Sequence, residues 1–139
     1  MNPTLTKTYE ADAAIAPRRI VKIGAGDGRV AQASASTDAL IGVADSLGAD
    51  GAADRCDVYL DGLVEVELGG NVTRGDAITA DADGKGVAAT LHTHTENTAA
   101  AYTQDATTGA AASTRIIGVA MVSGAAGDHA LVRLAPQYA

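Results

Sequence analysis

The sequence predicts an all-β fold, and three observations carry that prediction. From Val58 to Leu68 the residues alternate: Val58, Leu60, Gly62, Val64, Val66 and Leu68 share one parity, while Tyr59, Asp61, Leu63, Glu65 and Glu67 share the other. A period of two is the mark of a half-buried strand. Short β-branched runs elsewhere are separated by Gly/Asp clusters suited to hairpin turns. No segment sustains an apolar stripe at the helical period. Many short strands joined by Gly-rich turns point to a small barrel or sandwich.

Each element follows in order. Residues 1–14 are polar and Thr-rich and read as an extended N-terminal arm, with Leu5 and Tyr9 its larger apolar groups. An arm with spaced apolar residues suits strand addition to a partner's sheet edge, and terminal disorder explains it equally well. The remainder, 15–139, reads as one β domain. Arg19 to Ile23 forms a strand, Asp27-Gly28 turns it, and Arg29 to Ala33 returns. A turn over Ala35 to Leu40 precedes the strand Ile41-Gly42-Val43-Ala44, and Ser46 to Asp54 forms a loop. Asp61-Gly62 places a turn or bulge within the alternating run. Val72 to Asp76 turns into Ile78-Thr79. Asp81 to Gly86 is a hairpin turn, and Val87 to Leu91 comes back. The Thr/Ala-rich stretch 92–113 is a long surface loop or insertion. Arg115 to Val122 reads as a strand buried on both faces. Ala130 to Leu134 is the last strand, ended by Pro136. One internal echo stands out: Ile41-Gly42-Val43-Ala44 recurs as Ile117-Gly118-Val119-Ala120. A strand–loop–strand unit used twice and chance similarity in an Ala/Gly-rich chain are both open readings of it.

Composition narrows the function classes. Leu, Ile and Val supply 27 residues, and there is no Phe or Trp. A core so poor in large groups gains from a partner, so an oligomer or a docking surface is expected. The net charge of −7 is the wrong sign for a phosphate-backbone binder, and no nucleic-acid partner is expected. No run approaches the ~20 apolar residues of a membrane-spanning helix. Met1 to Glu10 has no apolar stretch after a basic start, so no secretory leader is read in it, and cytoplasmic synthesis is expected.

Candidate chemical centres are weak. Cys56, the only cysteine, forms no intrachain disulfide. Arg55 beside it could favour a thiolate, but a packed thiol is the expected state. Gly24-Ala25-Gly26-Asp27-Gly28 lacks the third glycine of a dinucleotide loop and the Lys-Ser/Thr of a P-loop. Asp81-Ala82-Asp83-Gly84 opens like a calcium loop, yet position 12 is His92 rather than Glu. His92 and His94 would share a strand face and could hold an ion with Glu96, Asp105 or a symmetry mate. Ser123, Asp128 and His129 lie close in sequence but without a nucleophile elbow. The expectation is no catalytic residue, no cofactor and no metal.

The ordered series Arg19-Ile20-Val21-Lys22-Ile23, Gly28-Arg29-Val30, Ile41-Gly42-Val43-Ala44, Gly75-Asp76-Ala77-Ile78-Thr79, Asp83-Gly84-Lys85-Gly86-Val87-Ala88 and Arg115-Ile116-Ile117-Gly118-Val119-Ala120 resembles the capsid-cement (head-decoration) proteins of tailed bacteriophages. The resemblance runs from about Ile15 to Leu134 and rests on order and spacing. It implies a small β-barrel or β-tulip-like domain and a non-enzymatic role. It implies homotrimers at three-fold and quasi-three-fold points on the outer surface of the expanded head. It also implies an N-terminal arm that pairs with the major capsid protein, with Pro3, Thr4, Leu5, Thr6 and Tyr9 as its contact residues. The stretch 92–113 departs from the family pattern. Competing readings are another virion β-module of tail or fibre, and a small metal- or His-dependent enzyme using His92, His94 or His129. A carbohydrate-binding domain is a further reading, and the missing aromatic platform counts against it.

Overall fold

The computed structural model describes residues 1–90 and 114–138. Nine strands follow in order: β1 (Asn2–Ala11), β2 (Ile20–Ile23), β3 (Arg29–Gln32), β4 (Leu40–Ala44), β5 (Arg55–Glu67), β6 (Ala77–Ala80), β7 (Gly86–Ala88), β8 (Arg115–Ala120) and β9 (His129–Tyr138). The described residues contain no helix, as the absence of a helical stripe requires. The loop expected over 92–113, with His92 and His94, lies outside the described residues.

All nine strands belong to one sheet of order β1-β3-β2-β4-β5-β9-β8-β6-β7, and β1 also pairs with β5. That extra pairing closes a ring, β1-β3-β2-β4-β5. A second ring runs β5-β9-β8-β6-β7 and meets itself where Leu68 bridges Gly86 in parallel and the Gly69 amide donates to the Gly86 carbonyl at 2.9 Å. β5 is common to both rings. This is why its alternation is the longest in the sequence: Cys56 and Val58 face one core, Val64 and Val66 the other.

The echo of Ile-Gly-Val-Ala extends to the whole architecture. Ile20 and Val21 pair with Val43 and Gly42, as Ala77 and Ile78 pair with Val119 and Gly118. Val43 and Ala44 pair with Tyr59 and Val58, as Val119 and Ala120 pair with Arg133 and Val132. Glu10 opposes Arg55 as Glu67 opposes His129. Ala11 lies parallel to Val30 as Leu68 does to Gly86. Ile15 bridges Ala49 as Val72 bridges Gly124. The chain is therefore one unit used twice, and β5 serves as the last strand of the first unit and the first strand of the second. The cores correspond too: Ile15, Val21, Ala44, Cys56 and Val58 match Val72, Ile78, Ala120, Ala130 and Val132.

Both faces of β2 and β4 are buried because the two cores lie on either side of them. Ile20 and Val43 enter the larger cluster, Val21 and Ala44 the smaller. Such strands read as continuous apolar runs rather than alternating ones. Two arginines tie the units together. Arg18 Nε meets Glu65 Oε2 at 3.2 Å and Arg19 Nε meets Glu67 Oε2 at 2.8 Å, while Arg19 Nη1 also donates to the Asp83 carbonyl at 2.7 Å.

At Asp61-Gly62 β5 runs on without a turn, and the irregularity there is of the bulge kind: its pairing with β1 shifts register at Thr4 on one strand and at Leu60 on the other. Three local expectations differ from the structure. β7 is shorter than the expected return strand. β8 ends at Ala120, so Met121 and Val122 sit exposed in the following turn. Pro136 does not end β9. The strand continues to Tyr138, and the Ile116–Gly118 irregularity in its pairing with β8 accommodates a residue that cannot donate to the ladder.

Candidate functional site

The N-terminal arm is strand β1, laid antiparallel along β5 from Asn2 opposite Leu63 to Glu10 opposite Arg55. The sequence held a signal for it: Thr4, Thr6 and Thr8 alternate with Leu5, Lys7, Tyr9 and Ala11. The far end is well held. Ala11 is fully buried, and Tyr9 packs half-buried on the smaller core. The Glu10 amide donates to Gly28 and the Asp12 amide to Val30, fixing β1 against the β2–β3 hairpin. Arg29 Nε donates to Asp12 Oδ1 at 2.6 Å, and the Ala25 amide donates to Asp12 Oδ2 at 2.7 Å. The hydrogen bond from Arg29, then the one from Ala25, hold the Asp12 carboxyl below its ordinary pKa.

The near end is held differently. Met1, Asn2 and Thr4 to Thr8 are exposed, Pro3 is half-exposed, and Leu5 leaves 53% of its surface in solvent. The side-chain contacts are few: Thr8 Oγ1 donates to Asp57 Oδ1 at 2.6 Å, and Lys7 Nζ stands 5.0 Å from the Tyr9 ring centroid. Main-chain pairing does most of the holding. Gly62 permits it: its φ is +104°, and a Cβ there would collide with the Asn2 carbonyl oxygen. No described strand pairs with the outer side of β1 from Asn2 to Tyr9, because β3 reaches only Glu10 and Ala11. That side presents unpaired N–H and C=O groups, which template a further strand. Of the five arm residues named from sequence, Thr4, Leu5 and Thr6 are exposed, Pro3 is half-exposed beside a bulge, and Tyr9 is turned to the protein's own core.

The other candidates are absorbed by the fold. Cys56 is buried, and desolvation, then Asp45 and Asp57, push its thiol up to about 11, which disfavours the nucleophilic thiolate. Asp81 Oδ1 accepts the amides of Asp83 and Lys85, so the calcium-like stretch is a turn held by its own carboxylate. Ser123 Oγ accepts the Arg74 amide and Asp128 Oδ2 the Ala125 amide, while His129 is exposed at the start of β9. The two oxygens are thus engaged by backbone amides rather than by the imidazole. Gly24 to Gly28 forms the β2–β3 turn with no helix behind it. Among the described residues no three metal-ligating side chains cluster. Leu47, 79% exposed, rims a shallow depression with Asp50, Asp54 and Arg55.

No family model matches the sequence, and no curated protein matches it. Among solved structures it is similar to the N base of the head fibre gp8.5 of bacteriophage phi29. The TM-score is 0.58 at 17% identity, over 94% of this chain and 93% of that one. At that identity the likeness shows a shared fold.

Proposed function

We propose that this chain is a non-enzymatic structural protein of a bacteriophage head: a decoration, or cement, protein on the outer surface of the expanded capsid. The observation that carries the reading is the likeness in fold, along almost the whole chain, to the base of a phage head fibre. The ordered motifs that resemble those of capsid-cement proteins and the open-edged strand β1 support it. The proposed partner is the major capsid protein, with the chain as a homotrimer at three-fold and quasi-three-fold sites.

The mechanism is physical. A protein that binds the expanded shell and not its precursor stabilises the expanded state by linkage. Three β1 strands acting from one trimer raise the effective concentration, so that modest single contacts become long-lived. Each arm offers the unpaired outer edge of β1 for strand addition, with Thr4, Leu5 and Thr6 exposed and Pro3 half-exposed along it. Tyr9 anchors the strand to its own domain and acts on the capsid only through that anchorage.

Co-sedimentation with expanded phage heads tests this. The protein is expected to pellet with heads, and Pro3→Ser with Leu5→Ser to abolish pelleting while light scattering shows the oligomer unchanged. Full pelleting of that variant would overturn the arm's role. Failure of the unaltered protein to pellet would overturn the cement reading. A second reading, a base domain that roots a fibre on the head, is favoured by the same likeness. It predicts a fibre rising outward from each bound domain, where the cement reading predicts the bound domain alone.

A further inference from the structure

The described strands carry carboxylates at Glu10 on β1 and at Asp57, Asp61, Glu65 and Glu67 on β5. Glu10, Glu65 and Glu67 are neutralised within the chain, by Arg29, Arg18 and Arg19 in turn. Neither Asp57 nor Asp61 pairs with a cation among the described residues. Both are exposed, and both lie along the open-edged part of β1, Asp57 opposite Thr8 and Asp61 opposite Leu5. Each is held by one hydrogen bond, Asp57 Oδ1 from the Thr8 hydroxyl and Asp61 Oδ1 from the Gly62 amide. The nearest cations on these strands serve elsewhere. Lys7 stands opposite Val58, on the other face, and lies over the Tyr9 ring, while Arg55 is opposite Glu10. Asp45 adds to the negative charge here. Its amide donates to the Asp57 carbonyl, and after burial it is Asp45 and then Asp57 that push the Tyr59 phenol up. The fold thus neutralises its strand carboxylates except beside the unpaired edge.

We propose that the outer edge of β1 takes an extended basic segment of the partner protein, whose Lys or Arg side chains, four residues apart, meet Asp57 and Asp61. The unpaired edge supplies the main-chain pairing. A strand added there lies two strand spacings from β5, about 10 Å. Thr6 and Thr8, opposite Tyr59 and Asp57, are short and exposed. A Lys or Arg stem lies across them and keeps its charged head in water. Asp57 and Asp61 stand about 13 Å apart along β5, and residues four apart on an added strand match that spacing on one face. Exposed ion pairs contribute little each, so here they select which strand docks and the main chain holds it. The inference rests on the reading above for the edge that docks, and adds the chemistry of the segment that docks on it.

The test uses two short labelled peptides, one alternating lysine with valine and the other glutamate with valine. Binding to the full chain is read by fluorescence anisotropy, and its place by amide NMR shifts. The lysine peptide is expected to bind on the order of tenfold more tightly than the glutamate peptide, with shifts at Asn2 to Tyr9. Asp57→Asn with Asp61→Asn should remove most of that preference. Asparagine keeps the oxygens that accept the Thr8 hydroxyl and the Gly62 amide, and circular dichroism checks the fold. Asp27→Asn with Asp83→Asn removes the same charge from two exposed turns and should leave the preference unchanged. Equal binding of both peptides, shifts away from β1, or an equal loss in the turn variant would overturn the inference. Shifts of the same amides with concentration of the protein alone would assign the edge to a second copy and overturn it too. Co-sedimentation with heads separates the two readings. Pelleting without a lysine preference would overturn this inference alone, and a lysine preference without pelleting would overturn only the cement reading.

Discussion

Replacing Gly42 or Gly118 by alanine tests the two-unit architecture at its tightest point. A Cβ on Gly42 would collide with the carbonyl oxygen of Tyr59, and one on Gly118 with that of Arg133. Tyr59 and Arg133 are equivalent positions on β5 and β9. The obstruction is backbone in both cases, so no side chain can swing away and the strands must part. Overpacking of this kind costs about 1–3 kcal/mol, and a disturbed ladder hydrogen bond adds about 1 kcal/mol. Each variant should therefore lose about 2–4 kcal/mol. For a chain of this size that is roughly 6–15 °C in Tm. Urea and thermal unfolding followed by circular dichroism would read the loss. The argument requires both variants to suffer comparably. Native stability in either one would mean that β4 and β8 do not occupy equivalent seats.

Further outcomes follow from single sites. Thr79 is buried and its Oγ1 has no hydrogen-bond partner, so Thr79→Val should stabilise by about 1 kcal/mol in urea unfolding. Ala53 is exposed at φ +67°, and Ala53→Gly should raise the unfolding free energy by up to about 1 kcal/mol. Cys56 should resist a disulfide reagent at pH 8 and react only at the rate of unfolding; prompt labelling of native protein would contradict its burial and raised pKa. Asp12 has a lowered folded pKa, so its contribution is complete above the unfolded value and is lost as pH falls through the folded one. Asp12→Asn should accordingly flatten the acid limb of the stability profile below about pH 4.

Strand positions were legible wherever the pattern was local. Val58 to Leu68 alternates because one face of β5 covers the smaller core and then the larger while the other face stays partly exposed, and Asp81 to Gly86 turns because Asp81 caps its own backbone. What escaped a linear reading was long-range. Nothing in Leu5 to Tyr9 states that its partner is Cys56 to Asp61, some fifty residues away, since backbone pairing has no side-chain code. The unit repeat was visible only at Ile-Gly-Val-Ala, where both copies need a residue without a side chain against a carbonyl. Elsewhere the copies share burial rather than identity, as Cys56 and Ala130 do. The extended conformation of residues 2–11 was legible from polarity and spacing, whereas their place on the chain's own β5 was not. The inward turn of Tyr9 was not, because one aromatic on an otherwise polar strand has no period to fix its face.

The most direct test of the central claim is cryo-electron microscopy of expanded phage heads incubated with the protein. The account predicts three copies over each three-fold and quasi-three-fold site, with the outer edge of β1 paired to a strand of the shell. Heads with bare three-folds, or density confined to a few fibre bases or the tail, would contradict it.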